Sequence, residues 1–344
     1  MKLTDFPRLE LAVLPTPLQS LPRLASDLGL ERLYVKRDDL TGIAFGGNKA
    51  RKLEYLLADA KKQGADVIYA TGAWQSNHIR MTAAACNMIG IKCELFIPRA
   101  RIPEEYDGNL LLDVILGAKI HFAPMVDFYE ITDYMEQKAQ EAIKSGRKPY
   151  IVPMGGSTPI GALGYVSAAK ELTSQLKEIN AENADIVVAT GSGGTYSGLS
   201  VGAQMYLPKA KCIGVSILNL KSKADEIIKK EAQETAELLD YTDMDFSKIN
   251  IVEDYIGKAY GIPTDACKEM ILRSARLEGL LLDPTYTGKA MAGLADLAAK
   301  GIIGNNRPVV FLHTGGLPLL HAHKYMFQDL AKDLSDVDES KFSK

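Results

Sequence analysis

The chain has 344 residues, of which 47% are hydrophobic and 24% are charged, and its formal net charge is -3 at pH 7. This composition is typical of a soluble globular protein, and the length favours two domains over one. The small net charge argues against nucleic-acid binding, which needs a basic stripe, and no apolar run approaches the roughly 18 residues of a membrane span.

The N-terminal residues and the cysteines bear on the cellular compartment. Asp5, Arg8 and Glu10 interrupt the apolar stretches at the N-terminus, so no signal-peptide core is expected there. The four cysteines show no C-x-x-C spacing and are expected to be reduced. We therefore expect a cytoplasmic protein whose partners include neither nucleic acid nor membrane.

Helices and strands alternate along the chain. In the first half, a helical face formed by Leu53, Leu56, Leu57 and Ala60 ends at Gly64. Strands are then expected at 67–70, 92–97, 119–123 and 150–153, with helices at 77–89, 109–116 and 128–144. In the second half, strands separated by helices are expected at 186–189, 212–217, 251–254, 280–283 and 309–313. This order predicts an α/β fold of mostly parallel sheets, in which ligands bind at the carboxyl ends of strands.

The first loop with unusual residues is Phe45-Gly46-Gly47-Asn48-Lys49, which leads into a predicted helix. Its glycines permit close backbone approach. The positive end of the helix dipole disfavours an ammonium group, which helps Lys49 to act as an amine nucleophile. An ordinary turn with a surface lysine explains the same residues. Lys289, at the start of a later helix, is a second candidate for this role.

The second loop, Trp74-Gln75-Ser76-Asn77-His78, lies between a strand and a helix. Ser76 or Asn77 can cap that helix. Four adjacent polar side chains exceed what one cap needs, which indicates a loop that faces a ligand. Trp74 is the only tryptophan, and it either lines the ligand site or packs in the interior.

The third loop, Thr190-Gly191-Ser192-Gly193-Gly194-Thr195, joins a strand to a helix. Backbone N–H groups and hydroxyls at such a turn can cradle a phosphate. Tyr196 stands where a dinucleotide fingerprint has its third glycine, and no Gly-Lys-Ser/Thr follows. A single phosphate group therefore fits better than NAD or ATP, and a purely structural turn remains the alternative.

Two further loops carry polar groups near predicted strand ends. Tyr286, followed by Thr287, can serve as an acid, a base or a hydrogen-bond donor, or can pack under its loop. Thr314 lies in His313-Thr314-Gly315-Gly316, whose glycines allow a flat ring to lie against the backbone. His313 alone is more often a core histidine than a ligand. His321 and His323 have no third ligand nearby, so no metal is expected.

Taken together, these loops resemble the family of D-cysteine desulfhydrases and 1-aminocyclopropane-1-carboxylate (ACC) deaminases. This is a branch of the tryptophan-synthase-β-like, fold type II enzymes, which use pyridoxal phosphate. The resemblance runs from Phe6-Pro7-Arg8 to about Gly316. It also includes Pro15-Thr16-Pro17-Leu18, Lys36-Arg37-Asp38-Asp39, Gly155-Gly156-Ser157 and Gly161-Ala162-Leu163-Gly164-Tyr165.

The resemblance implies a two-domain architecture in which each domain is a mostly parallel twisted sheet flanked by helices. The large cofactor-binding domain would comprise residues 1–51 and 158–344, and the small inserted α/β domain residues 52–157. Homodimers are usual in this family, so a homodimer is expected.

The resemblance also implies roles for particular residues. Lys49 matches the lysine that is bonded to the cofactor and later moves the α-proton of the substrate. Ser76, Tyr260 and Tyr286 are the other candidate catalytic residues. The candidate cofactor-binding residues are Asn48, Asn77, Gly191, Ser192, Gly193, Gly194, Thr195, Thr287 and Thr314. The candidate substrate-binding residues are Trp74, Ser76, Asn77 and His78.

The resemblance leaves the leaving group open. ACC deaminases carry Glu where this chain has Thr287, and a threonine supports a protonated pyridine nitrogen only weakly. We therefore expect a lyase that eliminates sulfide from D-cysteine, with sulfite elimination from L-cysteate as the alternative. An ACC deaminase or a non-catalytic binder is less expected. Either Thr287 or Thr314 faces the nitrogen, and Arg99 and Arg101 either meet a sulfonate or form a solvated loop face.

Overall fold

The computed structural model describes residues 1–98, 106–123, 130–218 and 224–336, which form two β-sheets covered by helices. Arg99 and Arg101 lie outside these residues. The strands are β1 (Leu18–Ser20), β2 (Leu33–Lys36), β3 (Val67–Thr71), β4 (Lys92–Pro98), β5 (Lys119–Ala123), β6 (Pro149–Val152), β7 (Asp185–Thr190), β8 (Lys211–Ser216), β9 (Asn250–Val252) and β10 (Val309–Leu312).

The helices alternate with these strands along most of the chain. They are α1 (Pro22–Asp27), α2 (Lys49–Lys62), α3 (Asn77–Ile89), α4 (Gly108–Ile115), α5 (Glu130–Lys144), α6 (Pro159–Glu178), α7 (Gly194–Tyr206), α8 (Ala224–Leu238), α9 (Asp265–Glu278), α10 (Thr287–Ala299) and α11 (Pro318–Ala322). None of the described helices is both long and apolar enough to span a membrane.

One sheet has six strands in the order β1-β2-β10-β7-β8-β9, and the other has four in the order β5-β4-β3-β6. All neighbouring strands pair in parallel except β1 and β2, which pair antiparallel. The six-stranded sheet draws strands from both ends of the chain, whereas the four-stranded sheet comes from one continuous stretch. The predicted α/β class with mostly parallel sheets is thus confirmed, and the exact domain boundaries stay a prediction.

The strand predicted at 280–283 is wrong. Leu280 and Leu282 are buried and Leu281 is 51% exposed, which gives the alternation of a half-buried strand. This segment nevertheless joins neither sheet. The backbone N–H of Asp283 donates instead to Thr287 Oγ1, at 2.8 Å. The short strands β1 and β2 were not predicted.

The interior positions the loops that carry polar residues. Strand β7 is buried along its whole length and ends at Thr190, between β10 and β8. In the other sheet, β3 is equally buried and ends at Thr71. Because the carboxyl ends of parallel strands meet at one edge of a sheet, the loops that follow β3, β7 and β10 can share one cleft.

Candidate active site

A single cleft is lined by loops that follow strands of both sheets. It brings together residues that the sequence singled out at widely separated positions. These are Asn48, Lys49, Ser76, Asn77, His78, Gly191, Ser192, Gly193, Thr195, Tyr260, Tyr286 and Thr314. The cleft is therefore built where the parallel strands end, as expected for a ligand site in this class of fold.

Four other candidate residues do not line this cleft. Trp74 lines an adjacent groove, which Tyr260 also lines. Gly194 begins α7, and its N–H donates to Ser157 Oγ at 3.1 Å. Thr287 and Lys289 are fully buried on α10, where their polar atoms bond to other parts of the protein.

Lys49 is the first residue of α2, and its amine faces the cleft. Nζ lies 3.4 Å from the carbonyl oxygen of Gly155. The loop before it is fixed because Asn48 N–H donates to the carbonyl oxygen of Thr314, at 3.0 Å. Burial and the nearby charge of Lys52 hold the pKa of Lys49 well below its usual value, against the opposing effect of Glu231. A lowered pKa favours the neutral form of the amine, which is the form that acts as a nucleophile or a base.

The glycine turn after β7 has the shape of an anion cradle. Gly193 has φ of 102°, which favours glycine, and it precedes the first turn of α7. That first turn directs backbone N–H groups and the positive end of the helix dipole toward a ligand. A Cβ atom on Gly155, on the facing turn, would collide with Ser192 Oγ. The facing turn therefore needs glycine at position 155 to approach Ser192 this closely.

The orientation of the Asn77 side chain is fixed by two hydrogen bonds. Its Oδ1 accepts from Asn109 Nδ2 at 3.0 Å and from Arg80 Nη1 at 3.3 Å. Asn109 also donates to the carbonyl oxygen of Gln75, at 2.8 Å. Since the oxygen is occupied, the Asn77 amide N–H groups remain to donate to a ligand in the cleft.

Ser76 and His78 flank Asn77 at the start of α3. Ser76 caps the helix, since its hydroxyl accepts from the N–H of His78 at 3.2 Å. His78 is 2% exposed, and neither ring nitrogen has a hydrogen-bond partner within the described ranges. Burial and the charges of Lys49 and Lys52 hold the pKa of His78 well below its usual value. The imidazole is therefore neutral, and it faces the backbone carbonyl of Pro153 as well as the cleft.

Tyr260 and Tyr286 form a pair in the cleft. Their hydroxyls share a short hydrogen bond, and their rings meet edge to face with centroids 6.0 Å apart. Burial raises the pKa of Tyr260 to about 12 and that of Tyr286 well above its usual value. Both phenols are thus protonated at neutral pH, and the pair can donate one hydrogen bond to a ligand.

Asp283 organises the loop that carries Tyr286. Its carboxylate accepts from the N–H groups of Thr285, Tyr286 and Thr287, each at 2.8 Å. It also accepts from Thr287 Oγ1 at 2.7 Å. The Thr287 hydroxyl is therefore engaged by Asp283, whereas Thr314 borders the cleft.

Lys289 holds the loop that carries Tyr260. Its Nζ donates to the carbonyl oxygens of Ile256 at 2.6 Å and Ala259 at 3.2 Å. With its amine bonded to these carbonyls outside the cleft, Lys289 is not placed to serve as the nucleophile. His313 likewise has a structural place, since its ring nitrogens bond to Leu281 O at 2.9 Å and Gly315 N–H at 3.2 Å.

Two further polar residues lie near the cleft: Lys52, which was missed in the sequence, and Thr190, which was named only as the first residue of the glycine loop. Lys52 is buried one helical turn after Lys49, and its Nζ donates to Gly155 O at 2.8 Å and Ser157 Oγ at 3.3 Å. Its spacing of three residues from Lys49 was the available signal. Thr190 lines the cleft, and its buried hydroxyl has no partner in the described part of the chain.

These residues fit pyridoxal phosphate. The glycine turn at Gly193 offers a cradle for one phosphate group, and the Lys49 amine has the low pKa that bonding to an aldehyde requires. The unpartnered polar atoms of Thr190 and His78 and the oriented Asn77 amide surround the space between them.

Comparison with known proteins identifies similar chains over almost the whole length. A family model described as pyridoxal-phosphate dependent enzyme matches residues 9–315. A D-cysteine desulfhydrase of Salmonella typhi is 43% identical over 326 residues, which are 93% of this chain and 97% of that protein. The crystal structure of an ACC deaminase homologue is 40% identical with a TM-score of 0.86, covering 95% of this chain and 97% of the other.

A more distant structure shares the fold alone. It is a hydrogen sulfide-producing enzyme from Fusobacterium nucleatum, 18% identical with a TM-score of 0.62, and the match covers 91% of this chain and 95% of the other.

Proposed function

Because the chain belongs to the family of pyridoxal-phosphate dependent enzymes, we propose that it is a carbon–sulfur lyase that converts D-cysteine to pyruvate, ammonia and sulfide. The predicted cofactor and the fold type II architecture are confirmed by this membership and by the similar structures. The observation that carries the proposal is a cleft that joins a low-pKa lysine to a pair of protonated tyrosines. The name of the similar Salmonella protein supports the choice of D-cysteine.

Several residues are placed to hold the cofactor. We assign the covalent attachment of the cofactor to Lys49 and a hydrogen bond with the cofactor to the Asn77 amide. Its phosphate would bind to Gly191–Thr195, with Lys52 behind that turn. Thr314, rather than Thr287, is the candidate to face the pyridine nitrogen, because the Thr287 hydroxyl is bonded to Asp283. When bound, the cofactor supplies an electron-withdrawing ring that weakens the Cα–H bond of an attached amino acid.

The residues of the chain then supply proton transfer and binding. The Lys49 amine, whose pKa is lowered by burial, takes the proton from the substrate Cα atom. Ser76 and the N-terminus of α3 bind the substrate carboxylate, since helix N-termini favour anions. The Tyr260–Tyr286 pair donates a hydrogen bond to the departing sulfur, which stabilises its developing negative charge.

The atoms balance as an elimination followed by hydrolysis. The Cα–H and Cβ–S bonds break, a Cα–Cβ double bond forms, and the sulfur leaves as sulfide after gaining a proton. The 2-aminoacrylate that remains reacts with water to give pyruvate and ammonia. Sulfite elimination from L-cysteate is the second candidate, since it uses the same bond changes with a different leaving group.

We also propose a homodimer. Leu40, Phe45 and Leu281 line one groove and are 45%, 60% and 51% exposed. Val13, 67% exposed, lies beside Gly42 at the same groove. Clustered apolar side chains of this kind mark protein interfaces, and a second copy of the chain is the proposed occupant. Sedimentation equilibrium should give twice the mass of one chain, and a monomer at micromolar concentration would exclude the dimer.

A reducing, cytoplasmic location is proposed from the cysteines. All four are free, and Cys86, Cys212 and Cys267 are buried. Proteins of oxidising compartments commonly pair such residues. The cellular location of a tagged chain tests this proposal, and a location in any compartment other than the cytoplasm would contradict it.

The variant Lys49→Ala tests the proposed activity. It should lose both the visible absorbance of the bound cofactor and pyruvate release from D-cysteine, because no other amine in the described cleft can replace Lys49. Lys289→Ala is the matched control, since Lys289 bonds to backbone carbonyls outside the cleft, and it should retain the absorbance. A coloured and active Lys49→Ala enzyme would overturn the assignment.

A further inference from the structure

Glu231, on α8, places a buried carboxyl group directly behind the glycine turn. The residue is 6% exposed. A Cβ atom built on Gly193 would lie 3.3 Å from its Oε2, and one built on Gly194 would lie 2.6 Å from its Oε1. Oε1 has no hydrogen-bond partner in the residues that the structure covers. Because both turn residues are glycine, no side chain separates this carboxyl from the turn.

The charged groups that face Glu231 come from two helices. Lys52 and Lys49 approach from α2, and Glu234 lies on α8 itself, while α7 contributes the Ser197 hydroxyl. Burial raises the pKa of Glu231 to about 7, against the opposing charges of Lys52 and Lys49. Burial also lowers the pKa of Lys52 to about 8, which Glu231 opposes. Before an anion binds, Lys52 and Glu231 therefore serve as each other's counter-charge.

We propose that Glu231 takes up a proton when the phosphate group of the cofactor binds to the glycine turn. A bound phosphate brings about two negative charges to the turn. Lys52 then faces these charges as well as Glu231. A further buried negative charge beside them, with no donor on Oε1, is unfavourable in a low-dielectric interior. Protonation removes that charge.

The step is a simple protonation in chemical terms. The Glu231 carboxylate gains one proton from solvent, and no bond to the phosphate forms or breaks. By linkage, an anion that drives this uptake binds less tightly as the pH rises above the value at which Glu231 ionises. The inference concerns the phosphate site alone and does not depend on which amino acid the enzyme cleaves.

Infrared difference spectroscopy on the cofactor-free full-length chain tests the proposal. Inorganic sulfate is the probe, because it keeps its two charges throughout the neutral range and cannot itself exchange a proton there. At pH 8, adding sulfate should produce the carbonyl stretching band of a protonated carboxylic acid. Glu231→Gln should lose this band completely. Glu234→Gln, which alters a half-exposed residue of the same helix, should retain it.

Three other results of this experiment would overturn the proposal. A band that persists in Glu231→Gln would assign the proton to another group. Sulfate that binds, as shown by a raised melting temperature, without producing the band would mean that Glu231 keeps its charge. Failure of saturating sulfate to bind would remove the anion site on which the proposal rests. None of these results would by itself contradict D-cysteine cleavage, which Lys49→Ala tests separately.

Discussion

The chemistry of single residues in the cleft follows from burial. The pKa of Lys49 lies well below its usual value because a charged ammonium is poorly solvated there and lies near Lys52. Tyr260 and Tyr286 keep their protons because phenolate would be poorly solvated. The same cause therefore produces a base and a hydrogen-bond donor in one cleft.

The hydroxyls of the Tyr260–Tyr286 pair are expected to contribute to kcat. Tyr286→Phe removes one hydroxyl of the pair, and we expect kcat for D-cysteine to fall roughly 100-fold, a typical loss for a group that assists proton transfer. The visible absorbance of the bound cofactor should be unchanged, because Lys49 is intact. Tyr255→Phe is the control, since the Tyr255 hydroxyl donates to Asp296. A kcat of Tyr286→Phe within twofold of the wild type would exclude this role.

Some residues of the site are evident in the sequence because short motifs carry them. Lys49 and the glycine turn stand beside helix starts, where backbone geometry and the dipole define their chemistry. Glu231 carries no such local signal, and the signal for Lys52 is limited to its spacing of three residues from Lys49. Lys52 contacts Gly155, more than a hundred residues later in the chain, and Glu231 lies behind the turn at Gly193, nearly forty residues earlier. Folding alone brings these residues together.

At the scale of elements, α10 supports both tyrosines. Asp283 holds the backbone of the loop before the helix, and with it Tyr286. Lys289, in the first turn of the helix, binds the carbonyls of Ile256 and Ala259 and so fixes the loop before Tyr260. The geometry of the tyrosine pair therefore depends on buried polar contacts that do not touch the cleft.

Lys289→Met should loosen the Tyr260 loop. Its buried amine keeps two carbonyls in place, and small displacements of catalytic groups reduce rates strongly, so we expect kcat to fall about 10-fold to 100-fold. Cofactor absorbance should remain. Lys300→Met, which removes an exposed pair with Asp296 on the same helix, is the control and should leave kcat unchanged. Equal kcat values in the two variants would contradict the positioning role.

Helices and most strands are predicted well because their periodicity is local. The segment 280–283 shows where periodicity misleads. Leu280 and Leu282 alternate with exposed Leu281 as in a strand, yet Asp283 uses its carboxylate and its N–H to bond the start of α10. The conformation of this loop is set by a buried carboxylate that accepts hydrogen bonds from three N–H groups. Such contacts are not visible in the pattern of hydrophobic residues.

At the scale of the whole molecule, a buried ionic network joins the N-terminal segment to α2 and α6. Arg51 donates to both oxygens of Asp38, each at 2.9 Å, and the Tyr165 hydroxyl donates to the same carboxylate at 2.6 Å. Arg51 also pairs with Glu171, which Lys36 contacts as well. Thr16 belongs to the network as well, since its Oγ1 donates to Asp38 Oδ1 at 2.7 Å. The motifs around Thr16 and Asp38 in the sequence thus have a structural function that no local pattern reveals.

This network predicts acid sensitivity. Burial alone would raise the pKa of Asp38, but the charges and hydrogen bonds of Arg51 outweigh it and hold the pKa below 3.8. A group whose pKa is lower in the folded state stabilises the protein at pH values above its pKa in the unfolded state. This stabilisation is lost as the pH falls through the pKa of the group in the folded state. The free energy of unfolding should therefore decrease steeply below about pH 4.

Asp38→Asn should lower the free energy of unfolding by about 3 kcal/mol at pH 7, because it leaves the buried Arg51 without its counter-charge. Urea denaturation measures this difference. Asp225→Asn, which removes an exposed pair with Lys229, should change the free energy by less than about 1 kcal/mol. Equal stabilities of the two variants would show that the network contributes little.

We expect the cleft to eliminate sulfide from D-cysteine. The most direct measurement is pyruvate release by the purified, cofactor-loaded chain with D-cysteine, L-cysteine, L-cysteate and β-chloro-D-alanine, beside 2-oxobutanoate release from ACC. We expect the highest kcat/KM for D-cysteine, with sulfide and pyruvate released in equal amounts. A preference for L-cysteate, or product from ACC alone, would contradict it.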